Sequence, residues 1–266
     1  MQIKKSSFTF FAIIILTLLL ISSCIRQVET SSQSPTSLSL ELREIRSGIL
    51  QGYLAKRDLP NSLELLAPPP KEGSAAYALD LEIAAKYLAM KDTDRKSRAV
   101  KDAVLAFPEA TDAFNSVLDM QISEKNTPHL YMILRRSLAD AGLSTYAAKN
   151  HYQRKRPFMV NNQSTCTPEE EDHLREDGSY PSGHTAAGWA WALILVEVFP
   201  DKADVILERG KQFGISRNVC NAHWHSDVVA GRIMGAAAVA RLHADPVFVA
   251  DLAAAKEEVA KPQDVQ

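Results

Sequence analysis

Along most of the chain, apolar residues return at helical rather than strand spacing. Leu79, Ile83 and Tyr87 recur at every fourth position, and Leu130, Ile133, Leu134, Leu138 and Ala141 follow the rhythm of a helix with one buried face. Further helices are predicted over 185–198, 203–213 and 224–242, whereas apolar/polar alternation is nearly absent. The segment 185–198 is apolar almost all round and carries Trp189 and Trp191, so it belongs inside a bundle instead of on its surface. The expected fold class is all-α, a compact helical bundle. Pro68-Pro69-Pro70 interrupts regular structure ahead of the first long helix, and the polar tail after Lys256 is expected to fray.

The N-terminus has another pattern. Lys4 and Lys5 precede an apolar stretch from Phe8 to Ile21 interrupted only by threonine, as in a signal peptide. It ends at Ser22 and Ser23, short of the about 20 apolar residues of a spanning helix. Residues 25–39, with Ser31, Ser32, Ser34, Pro35, Thr36 and Ser37, show no periodicity and read as a tether. The expected division is a signal peptide over 1–23, a flexible tether over 24–47 and one domain over 48–262.

Ile21-Ser22-Ser23-Cys24 resembles the lipobox of bacterial lipoproteins, in which the cysteine becomes the lipidated N-terminus; plain cleavage near Ser23 is the alternative. If Cys24 carries lipid, Cys166 and Cys220 form an even pair in an oxidising compartment, and a disulfide between them is expected. Two separate buried thiols remain the alternative, because spacing alone does not bring two Cα atoms within bridging range. The expected location is the periplasm or an outer-membrane anchor.

The 266 residues are 46% hydrophobic and 23% charged, an ordinary globular balance. The 30 basic residues against 32 acidic ones form no basic run interleaved with aromatics, which argues against a nucleic-acid partner. Without residues 1–23 the chain loses Lys4 and Lys5, leaving 28 basic against 32 acidic and a formal charge of −4.

Three groups of residues in the second half carry candidate chemistry. Pro181-Ser182-Gly183-His184 stands just before an apolar helical segment, so it occupies a helix N-terminus, whose unpaired N–H groups attract anions. Gly183 allows close approach to the main chain and Ser182 offers a hydroxyl, although serine capping explains such a Ser-Gly equally well. His223 and Asp227 are four apart, which on a helix places them on one face, where the carboxylate can set the imidazole tautomer and leave the other nitrogen free to attack. Lys149, Arg156 and Arg217 add three cations suited to phosphate oxygens. Charge stabilisation, an in-line nucleophile and a proton donor are what phosphoryl transfer requires.

The arrangement Lys149-x6-Arg156-Pro157, Pro181-Ser182-Gly183-His184, Ser216-Arg217-x5-His223-x3-Asp227 resembles the three-part signature of the type 2 phosphatidic acid phosphatase superfamily, with every position filled. The string from Gly178 to Thr185 resembles the class A bacterial non-specific acid phosphatases, and the likeness runs from about Leu63 to Ala260. The resemblance implies a helical fold shared with vanadium-dependent haloperoxidases and hydrolysis of small phosphate monoesters at acid pH, with some phosphotransfer. His223 would form a phosphohistidine, Asp227 would orient it, and His184 would protonate the leaving alcohol. Lys149, Arg156, Ser182, Gly183 and Arg217 would bind phosphate, with no metal and no cofactor. Inhibition by vanadate and a homodimer or higher homo-oligomer are further implications. Asn218, Asn221, Ala222 and His225 depart from the relatives around the third motif, which puts substrate preference in doubt. His225 and His223 stand two apart, on different faces of a helix, which argues against a metal pair.

A haloperoxidase holding vanadate is the enzymatic rival, disfavoured by the short chain and the Gly178–Thr185 string. A non-catalytic envelope lipoprotein is the rival of another class, and none of the signature residues it could lose is lost.

Overall fold

The computed structural model describes residues 34–46 and 48–261, so the expected leader over 1–23 and the lipidation candidate Cys24 lie outside the described residues. A short antiparallel pair, β1 (Glu44–Arg46) and β2 (Ile49–Leu50), precedes a run of helices. These are α1 (Ser62–Leu65), α2 (Ala75–Leu88), α3 (Thr93–Lys101), α4 (Asp112–Leu118), α5 (Pro128–Leu143), α6 (Tyr146–Tyr152), α7 (Pro157–Asn161), α8 (Glu171–Glu176), α9 (Gly183–Val198), α10 (Ala203–Val219), α11 (His225–Leu242) and α12 (Pro246–Ala260). The all-α expectation holds. Local sequence starts several of them: the Ser74 and Asp92 side chains accept the Tyr77 and Arg95 N–H groups, and prolines open α5 and α12.

Helix α9 is the centre, packed against α10, α11 and α5. Ala186, Ala190, Trp191, Ile194 and Leu195 are fully buried on it, and Trp191 Nε1 donates to the Leu134 carbonyl at 2.9 Å. Gly231 and Gly235 let α11 approach closely: a Cβ at Gly231 would meet the Ser182 carbonyl oxygen at 2.6 Å, and one at Gly235 that of Ala186 at 2.5 Å. This contact brings the N-terminus of α11 beside that of α9, and the two ends form the candidate site.

The ordered fold departs from the expected tether at the N-terminal end and from the expected fraying after Lys256, while α12 stays inside the expected domain limit of 262. The tether assigned to 24–47 packs onto the domain within its described part. Ser37 is buried, its N–H donates to Asp251 Oδ1 at 2.7 Å, its hydroxyl donates to Asp251 Oδ2, and Arg136 Nη1 reaches that hydroxyl at 2.7 Å. The physical reason is that Asp251 and Arg136 are buried charges that need polar partners, and Tyr53 adds its hydroxyl to Asp251 at 2.6 Å. At the other end α12, which the apolar spacing did not reveal, carries the chain past Lys256 to Ala260. Phe248, Leu252 and Ala255 are buried there, and the Glu258 carboxylate accepts the His129 and Leu130 N–H groups at 3.1 and 3.0 Å, closing the open start of α5. Among the described residues no single helix is long and apolar enough to cross a membrane.

Candidate active site

The turn between α10 and α11 carries His223, and its neighbours hold it rigidly. The Arg217 carbonyl accepts the N–H groups of Ala222 and His223 at 3.0 and 3.2 Å, and Asn221 takes a left-handed conformation with φ 57°. The Asn218 amide donates to the His223 carbonyl at 2.9 Å, and the Asn221 amide donates to the Gln163 carbonyl at 2.6 Å. Both asparagines, which stood out as departures around the third motif, thus brace the turn. Cys166 and Cys220 are joined by a disulfide with their Cα atoms 4.7 Å apart, which ties the turn to the segment after α7.

His223 lies before α11 instead of on it, so it and Asp227 are not the helical i, i+4 pair expected from spacing. They meet by another route. Asp227 is in the first turn of α11, and its Oδ2 accepts the Trp224 N–H at 2.8 Å while standing 3.4 Å from His223 Nδ1. Ser179 Oγ donates to the same Oδ2 and is also 3.4 Å from His223 Nδ1. On the other side of the ring, Nε2 is 2.9 Å from Arg156 Nη1. A guanidinium can only donate, so Nε2 holds the lone pair and Nδ1 carries the hydrogen. Burial, followed by Arg156, Lys149, Arg217 and His184, pushes His223 well below the ordinary histidine range, so the imidazole is neutral with Nε2 unprotonated.

The cations come from three segments. Arg156, at the start of α7, spends Nε on the Leu174 carbonyl at 2.8 Å, Nη1 on the Ala222 carbonyl at 3.0 Å and Nη2 on Asp177 Oδ2 at 3.0 Å. Lys149 Nζ donates to Asp177 Oδ2 at 2.9 Å and to the Gly178 carbonyl. Burial, then the charge of Arg156, lowers Lys149 to about 8. Arg217 is completely buried in α10, and none of its three guanidinium nitrogens has a hydrogen-bond partner among the described residues. Burial and Arg156 bring it down to about 10.

The start of α9 completes the site. Ser182 is its N-cap, accepting the Thr185 N–H at 3.2 Å and the Thr185 hydroxyl at 2.9 Å, which leaves its own O–H to donate elsewhere. Capping therefore leaves this serine free to donate to an anion. The first-turn N–H groups of Gly183 and His184 have no partner within the helix. A Cβ at Gly183 would meet only Thr145 Oγ1 at 3.6 Å and Lys149 Cε at 3.9 Å, so the space above this backbone, on the Lys149 side, is not filled by protein. His184 Nε2 lies 2.9 Å from the Ala103 carbonyl, which makes Nε2 the N–H and Nδ1 the nitrogen free to exchange a proton. Burial, then Arg217, holds His184 well below its ordinary range. No group of three or more His, Cys, Asp or Glu able to hold a metal ion occurs among the described residues.

The PAP2 superfamily profile matches residues 130–248. The non-specific acid phosphatase of Providencia stuartii is 43% identical over 210 residues, 79% of this chain and 85% of that protein. The chain belongs to this family, the non-specific acid phosphatases of the PAP2 superfamily. The non-specific acid phosphatase of Salmonella typhimurium is 41% identical over 211 residues, 79% of this chain and 84% of that one. The acid phosphatase of Zymomonas mobilis is 41% identical over 196 residues, 74% of each chain. A bacterial vanadium-dependent iodoperoxidase structure aligns with a TM-score of 0.47 at 18% identity over 80% of this chain, which spans 63% of that protein's length.

In this acid phosphatase the site reaches beyond the signature residues. Asp177 Oδ2 bridges Lys149 and Arg156. Arg154, two residues before Arg156, donates to Asp227 Oδ1 at 2.6 Å and to Asp80 Oδ2 at 2.7 Å. Burial pushes the Asp227 carboxyl up, against the opposing pull of Arg154, Ser179 and the Trp224 N–H. Reading the sequence missed Arg154, Ser179, Asp80 and Asp177. A pointer was present for Ser179, which lies inside the Gly178–Thr185 string; the others are single charged residues on segments that look solvated.

Proposed function

We propose that this acid phosphatase cleaves small phosphate monoesters in two steps through a phosphohistidine on His223, without a metal ion. The observation that carries the reading is Arg217: a buried guanidinium with no hydrogen-bond partner among the described residues is a costly arrangement unless an anion completes it. With Lys149, Arg156, the Ser182 hydroxyl and the Gly183 and His184 N–H groups, it would supply the positive field a phosphoryl group needs, so charge stabilisation requires no further ion.

In the first step the Nε2 lone pair of His223 leaves the Arg156 N–H and attacks phosphorus. The P–O ester bond breaks as the N–P bond forms. The departing alkoxide takes a proton from Nδ1 of protonated His184. In the free site burial, helped by Arg217 and the other cations, keeps His184 neutral, and an arriving phosphate anion offsets those charges, so substrate binding itself raises the proton affinity of the acid. In the second step water attacks the phosphohistidine, His184 takes the water proton, the N–P bond breaks and inorganic phosphate leaves. An alcohol in place of water would give phosphotransfer by the same route. The Asp227 backbone carbonyl accepts the Ser182 N–H at 3.0 Å, which links the first turn of α11 to the anion-binding helix start.

The signature resemblance supports broad specificity for small monoesters, inhibition by vanadate and a homo-oligomer. The leader pattern and Cys24 support export, to the periplasm or to a lipid anchor in the outer membrane. Hydrolysis of an aryl phosphate between pH 5 and 7 in excess chelator tests the chemistry. Turnover that persists with chelator and disappears in His223→Ala is expected. Turnover that chelator abolishes, or that His223→Ala retains, would overturn it.

A further inference from the structure

Behind Asp227 runs a buried chain of charges that belongs to no motif. Arg154 Nη1 donates to Asp227 Oδ1 at 2.6 Å and to Ser226 Oγ at 2.7 Å, while its Nη2 donates to Asp80 Oδ2 at 2.7 Å. Asp80, in the middle of α2, also accepts the Ser226 N–H at 2.8 Å and the Ser226 hydroxyl at 2.6 Å. The Arg154 guanidinium carbon lies 5.5 Å from the centroid of the Trp224 ring, and both carboxylates are fully buried. Burying three ionised side chains carries a desolvation penalty that an apolar trio of similar volume would avoid. What the charged trio adds is direction. With Oδ1 held by Arg154, Oδ2 is the oxygen turned toward Ser179, the Trp224 N–H and His223 Nδ1.

We propose that Arg154 and Asp80 are positioning residues for the nucleophile, Arg154 fixing the rotamer and charge of Asp227, and Asp80 fixing Arg154 while offsetting its positive potential. The proposal rests on His223 being the nucleophile. The Asp227–His223 couple is faced by Lys149 from α6, by Arg156, by Arg217 from α10, by His184 from α9 and by Tyr180. Arg154 approaches from behind, and the Asp80 charge also acts on His225 at the start of α11. Removing the positive Arg154 leaves the couple easier to protonate; removing the negative Asp80 leaves it harder. The two substitutions therefore move the acid limb of activity in opposite directions, which loosened packing alone does not do.

The test compares Arg154→Met, Arg154→Lys and Asp80→Asn in the mature enzyme, with kcat and KM for an aryl phosphate from pH 4 to 8 and phosphoenzyme yield by rapid quench. Arg154→Met is expected to lower kcat about 100-fold with KM within about threefold, and to move the acid limb up by about one pH unit. Arg154→Lys restores the limb but only part of kcat, since one ammonium lacks the fork that reaches both carboxylates. Asp80→Asn, which keeps shape and an acceptor oxygen if Arg154→Met fails to fold, moves the limb down. Limbs that coincide with wild type, shifts of the same sign, or losses confined to KM would overturn the proposal. A wild-type enzyme that forms no phosphohistidine would instead overturn the reading beneath it.

Discussion

Replacing Arg217 by methionine should make the protein more stable and nearly inactive. The side chain is completely buried, has no hydrogen-bond partner among the described residues, and is brought down to about 10 by burial and by Arg156, which corresponds to about 3 kcal/mol of unfavourable free energy in the folded, phosphate-free state. The sign follows from linkage: the fold disfavours the charged form, so the deficit is fully present at every pH below the folded value, including the whole working range. Methionine keeps most of the apolar stem and removes the charge. Allowing for imperfect repacking, the variant should gain about 2 kcal/mol, or about 4–8 °C in Tm for a domain of this size. On the proposed mechanism the same change removes a principal phosphate ligand and should lower kcat/KM by roughly 100- to 1,000-fold. Thermal unfolding with and without inorganic phosphate reads both effects. Phosphate at about 100 times its Kd should stabilise the wild type by about 2.7 kcal/mol and leave the variant nearly unchanged. A variant less stable than wild type without phosphate, or one still stabilised by phosphate, would refute the reasoning.

Gly183→Ala should fold normally, because its Cβ meets no protein atom closer than 3.6 Å, yet raise KM and the inhibition constant for phosphate about tenfold by filling space beside the helix N–H groups; unchanged phosphate inhibition would count against a site there. Because Lys149 is lowered to about 8, kcat/KM should fall as pH rises through about 8, with the limb in kcat displaced to higher pH by the bound anion, as paired pH profiles can show. Asp140, which accepts the Tyr53 and Leu54 N–H groups at 2.8 and 3.0 Å with Arg136 and Asp245 nearby, has its carboxyl pushed up to about 6 by burial. The fold thus prefers the protonated form, so this residue's stabilising contribution is present at about pH 4 and is lost as pH rises to about 6. Asp140→Asn should flatten that slope of about 3 kcal/mol in denaturant titrations at several pH values.

The central helices were legible because α9 is apolar almost all round and α10 and α11 repeat apolar or small residues at helical spacing. The signature residues were legible because their chemistry is written in short local patterns. Arg154 was not: it sits among Gln153, Lys155 and Arg156, and only the left-handed turn at Gln153 decides which of these side chains points inward. Asp80 is one charged residue on a largely exposed helix, and nothing local announces a partner 74 positions away. The helical reading of His223 and Asp227 gave the right contact by the wrong geometry, since Trp224 starts a new helix between them and the Asp227 side chain folds back over its first turn. Ser37 reads as tether in the sequence because its buried partners, Asp251 and Arg136, lie far along the chain.

The most direct test of the account is to stop the reaction within milliseconds in alkali, digest the protein and find the phosphorylated residue by mass spectrometry. The account predicts an alkali-stable, acid-labile phosphate on His223 that appears before the first turnover is complete. Phosphate on another residue, or release of product with no covalent phosphoenzyme under single-turnover conditions, would contradict it.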